Sequence, residues 1–192
     1  MIKTKGDLQH YLEQDRKELR IKKESFLKKL LFPNKIYNFQ VTLRKAEYYN
    51  NVSTQSSFHK ILSMYYKILL RKRALELGFS IPINVFGPGL SIAHYGTIVV
   101  NHAAKVGANC RIHVCVNIGA SAGGKMAPEI GDNVYIAPGC KIFGEIKIAD
   151  NITISANSVV NKSFLTPNVV IGGVPAKILK TLDEDESFNW KS

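Results

Sequence analysis

The 192-residue chain has no run of about 18 apolar residues, the length that a membrane-crossing helix needs. Its opening stretch, MIKTKGDLQHYLEQDRKELR, runs straight into charged residues without the apolar segment of a signal peptide, so a cytoplasmic protein is expected. Cysteine is scarce. Cys110, Cys115 and Cys140 are an odd number in such a chain, which argues against a disulfide framework and for reduced thiols. No carboxylate or cysteine accompanies the histidines at ligand spacing, so no metal site is expected. Acidic residues are also few, 15 against 26 Lys and Arg, a net charge of +11. A basic surface attracts polyanions without choosing among nucleic acid, acidic lipid and anionic glycan. The basic region has no recognisable module with interleaved surface aromatics, which speaks against nucleic acid.

What is present falls into two unlike parts. The apolar fraction of 45% is that of a globular protein. Residues 1–77 carry 17 basic against 7 acidic residues, a net of +10, whereas residues 78–192 carry 9 against 8, a net of +1. The spacing predicts helices in the first part. Leu8, Tyr11 and Leu12, then Leu19, Phe26, Leu27, Leu30 and Leu31 recur at helical intervals before Pro33 ends the stretch. Two further helices are expected over about 36–50 and 57–77. The last is basic and amphipathic, a pattern that suits an acidic membrane surface and, more commonly, a helix packed on its neighbours with a solvated Lys/Arg face.

From Val100 the pattern changes to a step of six: Val100, Val106, Ile112, Ile118, Gly124, Ile130, Ile136, Ile142, Ile148, Ile154 and Val160. Neither a helix nor a free strand has period six, so each unit must be one short edge of a coil that closes on itself. Three edges make an 18-residue turn. Val100, Ile118, Ile136 and Ile154 are then expected to stack on one edge, and Ile112, Ile130 and Ile148 on another. Asn or Asp with Gly or Ala at 107–109, 131–133 and 149–151 suits the sharp corners. Cys110 and Cys140 fall at the second inward position and read as packing residues.

The repeat breaks twice. Ile92 is two residues out of phase with Val100, which puts a two-residue insertion in Ala93-His94-Tyr95-Gly96-Thr97. The segment Ala120 to Pro128 (ASAGGKMAP) has no apolar occupant at Gly124, and it is expected to leave the coil and lie over a groove.

The stretch GPGLSIAHYGTIVVNHAAKVGANCRIHVCVNIGASAGGK, its continuation PEIGDNVYIAPGCKIFGEIKIADNITISANSVV and the closing GGVPAKILK resemble the serine acetyltransferase-like branch of the hexapeptide-repeat acyltransferases, and within it the bacterial capsule and exopolysaccharide O-acetyltransferases. The resemblance covers about residues 79–180. It implies a mainly β chain with α: a left-handed parallel β-helix over 78–180, preceded by the basic α-helical region 1–77 and followed by an acidic tail, 181–192. It further implies a trimer, or a dimer of trimers, and acetyl-CoA as donor.

The same resemblance puts His94 in the place of the catalytic histidine, a general base with a pKa suited to taking a hydroxyl proton. Gly96 is a candidate oxyanion donor, and Asn101 and Asn117 are candidates to orient His94. Gly119, Ala137 and Ala156 would let the pantetheine arm approach closely, with Lys162, Lys177 and Lys180 near the CoA phosphates. Tyr95 and His113 are acceptor-site candidates. Four departures stand out: Phe79 where serine acetyltransferases carry an aspartate that orients the histidine, Ala93 in place of an acidic residue, and Met126-Ala127 in place of an Arg-His pair. A zwitterionic acceptor would leave its charges unpaired at those positions. The expectation is therefore acetyl transfer to a sugar hydroxyl of a glycan or glycan precursor, with serine O-acetyl transfer in cysteine biosynthesis as the alternative. A non-catalytic β-helix scaffold at the inner face of the membrane is a third reading.

Overall fold

A computed structural model describes residues 1–21, 31–122 and 124–182. Of the sequence expectations, Phe26, Leu27 and Leu30 and most of the acidic tail lie outside those residues. Helix α1 spans Lys5–Glu18, where Thr4 caps the first turn by accepting from the Asp7 N–H while the Asp7 carboxylate accepts from the Thr4 N–H. Helix α2 spans Lys35–Asn51, capped by Asn34 directly after Pro33. Helix α3 spans Ser57–Leu77 and ends at Gly78, whose φ of 77° is the left-handed cap that glycine adopts without a steric penalty. No helix among the described residues is long and apolar enough to cross a membrane.

The rest is a left-handed parallel β-helix of short strands. One face stacks β1 (Phe79–Ser80), β3 (Ile98–Val100), β6 (Val116–Gly119), β9 (Lys141–Phe143) and β12 (Val159–Val160). A second stacks β4 (Lys105–Val106), β7 (Glu129–Ile130) and β10 (Lys147–Ile148). The third runs β2 (Ser91–Ile92), β5 (Arg111–Ile112), β8 (Tyr135–Ile136), β11 (Ile152–Ile154) and β13 (Val169–Gly173), closed by antiparallel β14 (Ala176–Thr181). The six-step residues from Val100 to Val160, Gly124 apart, are all buried and form the coil's core. Cys110 and Cys140 pack inside it as expected, and burial pushes the Cys110 thiol up to about 12.

The stacking differs from expectation in one respect. Val100 does pair with Ile118, and Ile130 with Ile148, each 18 residues apart. Ile118, however, pairs with Ile142, Ile112 with Ile136, and Val106 with Ile130, each 24 residues apart. The step through Gly124 is therefore no edge of the coil: six residues are extruded as a loop, and every later strand moves to the next face. Ile136 and Ile154 stack beneath Ile92 and Ile112, not beneath Ile118. The two-residue insertion is present as read, since Ile92 pairs with Ile112, twenty residues on.

Corners recur with a common device. Asn109, Asn133 and Asn151 all sit near φ 57°, and their side-chain amides form a ladder, Asn109 to Asn133 and Asn133 to Asn151, at 3.0 Å each. The helical part is bolted to the first coil by Arg44 of α2, which is fully buried. Its guanidinium donates to Asp15 at 2.8 and 3.1 Å, to Glu47 at 3.0 Å and to the carbonyls of Phe86 and Gly87. Asp15 in turn accepts from the Gly89 and Leu90 N–H groups.

Candidate active site

The corner between the third and first faces is a column of stacked backbone. Ala93 donates to Ile112, His113 to Ile136 and Ala137 to Ile154, so Ala93, His113 and Ala137 lie one above another on successive coils. The first coil's corner is the lengthened one. Gly96 turns it at φ +132°, a value that L side chains rarely adopt, and the extra length carries His94 and Tyr95 out to the surface. The lengthened corner thus presents an exposed imidazole.

Below His94 stands His113, its ring centre 5.8 Å from that of His94, and Tyr135 follows with its ring centre 5.1 Å from that of His113. His113 is half-buried, and its Nε2 is a buried atom without a hydrogen-bond partner among the described residues. Burial first, then the charges of Arg111 and His94, push its pKa down to about 4, so the ring is neutral at physiological pH. Arg111 lies on the outer side of the third face beside Tyr135 and donates to the Ser91 hydroxyl at 3.0 Å.

The other residues singled out in the sequence fare unevenly. The Gly96 N–H already donates to the Leu77 carbonyl at 2.9 Å, so it is spent within the fold and is not an oxyanion donor in this geometry. Asn101 sits at the far end of β3, where its side chain accepts from the Ala103 N–H and closes the next corner, away from His94. Asn117 lies on β6 opposite Val99, with no hydrogen bond to His94 among the described residues. Gly119 ends β6 and accepts from Gly144, Ala137 is buried at the corner two coils below Ala93, and Ala156 is exposed at the corner below that. Lys162 lies over the Phe164 ring, and Lys177 and Lys180 are exposed on β14, so these cations stand at the far end of the coil from His94.

Of the four departures, Phe79 and Ala127 are core residues, 5% and 3% exposed. Phe79 packs edge-on against Phe39 of α2 with ring centres 5.0 Å apart, at the joint between helices and coil. Met126 is exposed and Ala93 half-buried. A cleft of about 740 Å³ opens elsewhere, on the second face, lined among others by Ile2, Tyr11, Lys105, Glu129 and Lys147. None of the candidate catalytic, cofactor-binding or acceptor residues lines it. We locate the candidate site at His94 because the chemistry is there, on an open edge.

Tyr135 belongs to this cluster without being among the sequence candidates. Its signal was available: Tyr135 precedes the inward Ile136 and so points outward, but only the 24-residue register places it next to Arg111 and His113.

No family model matches the chain. It is 41% identical over 96 residues to a curated serine acetyltransferase of Staphylococcus aureus, a match that covers 49% of this chain and 45% of the relative. The chain therefore spans about half the length of the curated relatives it matches. Among solved structures, the serine acetyltransferase of Brucella abortus superposes with a TM-score of 0.72 at 27% identity, over 93% of this chain and 71% of that one. A serine acetyltransferase in complex with coenzyme A from the same organism superposes with a TM-score of 0.67 at 26% identity, over 93% and 70%. The likeness is to the hexapeptide-repeat acyltransferases, and it takes in the helices as well as the coil. It overturns the sugar acceptor expected from the sequence, because relatives and structural neighbours alike are named serine acetyltransferases and none supports closeness to capsule or exopolysaccharide O-acetyltransferases.

Proposed function

We propose that the chain is an acetyl-CoA-dependent serine O-acetyltransferase with His94 as general base. The observation that carries the reading is the lengthened first corner with its exposed imidazole, on a chain of which 93% superposes on an enzyme of that name. The serine hydroxyl oxygen attacks the thioester carbonyl carbon as His94 takes the hydroxyl proton. The C–O bond forms, the C–S bond breaks, and the proton passes to the departing CoA thiolate, giving O-acetylserine and CoA. No protein nucleophile is needed, because the acyl group arrives already activated. General-base catalysis contributes about 10²- to 10⁴-fold to such a step.

The test is CoA release, followed with a thiol reagent, from acetyl-CoA and L-serine. Turnover that depends on L-serine and falls by at least 100-fold in His94→Ala is expected. Serine-independent release, or full activity in the variant, overturns the reading.

The assembly proposed is a homotrimer, which would enclose the open corner of one coil against its neighbour. Its check is the mass of the native particle in solution, and a monomer with full activity would refute it. The N-terminal helices are proposed to meet an acidic membrane surface. Phe58, Ile61, Met64 and Ile68 are exposed along α3, with Lys60, Lys67 and Arg71 on one flank. Glu76 is the only acid on α3, so a second copy seated there would bring like charges together. Sedimentation with anionic but not zwitterionic vesicles is expected; failure to sediment at low salt, or self-association through α3, overturns this part.

A further inference from the structure

The corner that carries His94 leaves one polar atom unserved. His113 Nε2 is buried and unpartnered among the described residues, while the His113 backbone N–H is engaged with Ile136. A buried acceptor left without a donor is costly, so its survival at a candidate site asks for an explanation. Against it from the coil above stands the exposed His94, whose ring centre is 5.8 Å away. Two imidazoles joined by an N–H···N bond of about 2.9 Å have ring centres roughly 5 Å apart. Less than an ångström of approach separates the two arrangements, and the His94 side chain is exposed.

Three titratable groups face His113: His94 from the corner above, Arg111 from its own strand and Tyr135 from the strand below. Burial and the Arg111 charge both oppose a second proton on the ring, which keeps one nitrogen an acceptor. The position where an orienting carboxylate was looked for holds Phe79, committed to the core against Phe39.

The geometry points to His113 as a positioning residue: its Nε2 accepts the N–H of His94, fixes the His94 tautomer and turns the other His94 nitrogen toward the acceptor hydroxyl. Nothing in this arrangement requires His113 to touch the substrate. The inference rests on His94 being the base, but its direct readout does not depend on turnover.

The experiment compares wild type, His113→Leu and His113→Gln, whose side-chain carbonyl can still accept. Histidine side-chain ¹⁵N spectra of the full-length protein at pH 8 report the His94 tautomer. One dominant tautomer is expected in wild type and His113→Gln, and a mixture in His113→Leu. In the L-serine assay, His113→Leu should lose about 10- to 100-fold in kcat, the range for removing a group that orients a functional histidine, with the KM for acetyl-CoA unchanged. His113→Gln should recover most of the loss. An unchanged His94 tautomer in His113→Leu overturns the inference, whatever its activity. If His113→Leu does not fold, His113→Gln decides: a single tautomer supports the role and a mixture overturns it. Should wild type show the His113-dependent tautomer yet no turnover of L-serine, the proposed activity fails and the positioning role stands.

Discussion

Arg44→Met removes the bolt between helices and coil while keeping an unbranched side chain of similar reach. Arg44 is inaccessible to solvent, and its two carboxylate partners, Asp15 and Glu47, are each 1% exposed. The variant leaves both carboxylates in the interior without their cation, and strands the Phe86 and Gly87 carbonyls as well. Asp15 keeps two backbone N–H partners, Gly89 and Leu90 at 2.9 Å each, and Glu47 keeps that of Asn84, which softens the loss. Breaking a buried pair from one side costs about 3–5 kcal/mol. For a chain near 200 residues that is a fall in Tm of roughly 10 °C. Thermal unfolding followed by circular dichroism at pH 7 measures it. The triple variant Arg44→Met, Asp15→Asn, Glu47→Gln removes the stranded charges, keeps acceptors for the three backbone N–H groups, and should recover more than half of the loss. A single variant within 2 °C of wild type, or a triple variant no better than the single one, refutes the electrostatic account.

Two other outcomes follow from the same structure. Phe79→Asp supplies the carboxylate that the family resemblance leads one to expect in this place, yet here it would bury an unpaired charge against Phe39; lower Tm and no gain in kcat are expected, and a faster enzyme would contradict the placement of Phe79 in the core. His113, with its pKa near 4 in the fold against 6.5 as the ordinary value, is protonated first in the unfolded chain. Its contribution to stability is therefore present above pH 6.5 and lost as pH falls from 6.5 toward 4, and His113→Gln should flatten that part of the stability profile measured by denaturant titration.

The six-residue rhythm was legible because each inward position is Ile or Val with little interruption, and burial follows it residue by residue. The register was not. A period read along the chain counts every step as an edge of the coil: the composition of ASAGGKMAP predicts an excursion, yet the stacking expected for Ile136 and Ile154 still counts it as one edge. The error is one face, and it explains what was missed at the site. With Ile136 under Ile118, Tyr135 falls beside Asn117, and the cluster of His94, His113, Arg111 and Tyr135 does not assemble. With Ile136 under Ile112, as observed, Tyr135 stands beside Arg111. The end of the first helical stretch was readable from Pro33, a local signal that acts within a turn. Arg44 reaching Asp15, Phe86 and Gly87 was not, because those partners lie 29 to 43 residues away and no periodicity relates them.

The acceptor was misjudged for a related reason. The case against serine treated the absence of charged side chains at positions 79, 93, 126 and 127 as the absence of any group to meet a zwitterion. That step holds only if charge must come from the same positions, and electrostatic complementarity does not require it: a carboxylate is stabilised by any cation or N–H donor at the right distance, whichever coil supplies it. Two of the four positions, Phe79 and Ala127, are occupied by core packing. Core packing at those two positions is compatible with a binding edge built from other positions, among them Arg111 and His113. Loss of a known side chain constrains how a ligand is held; it does not by itself identify the ligand.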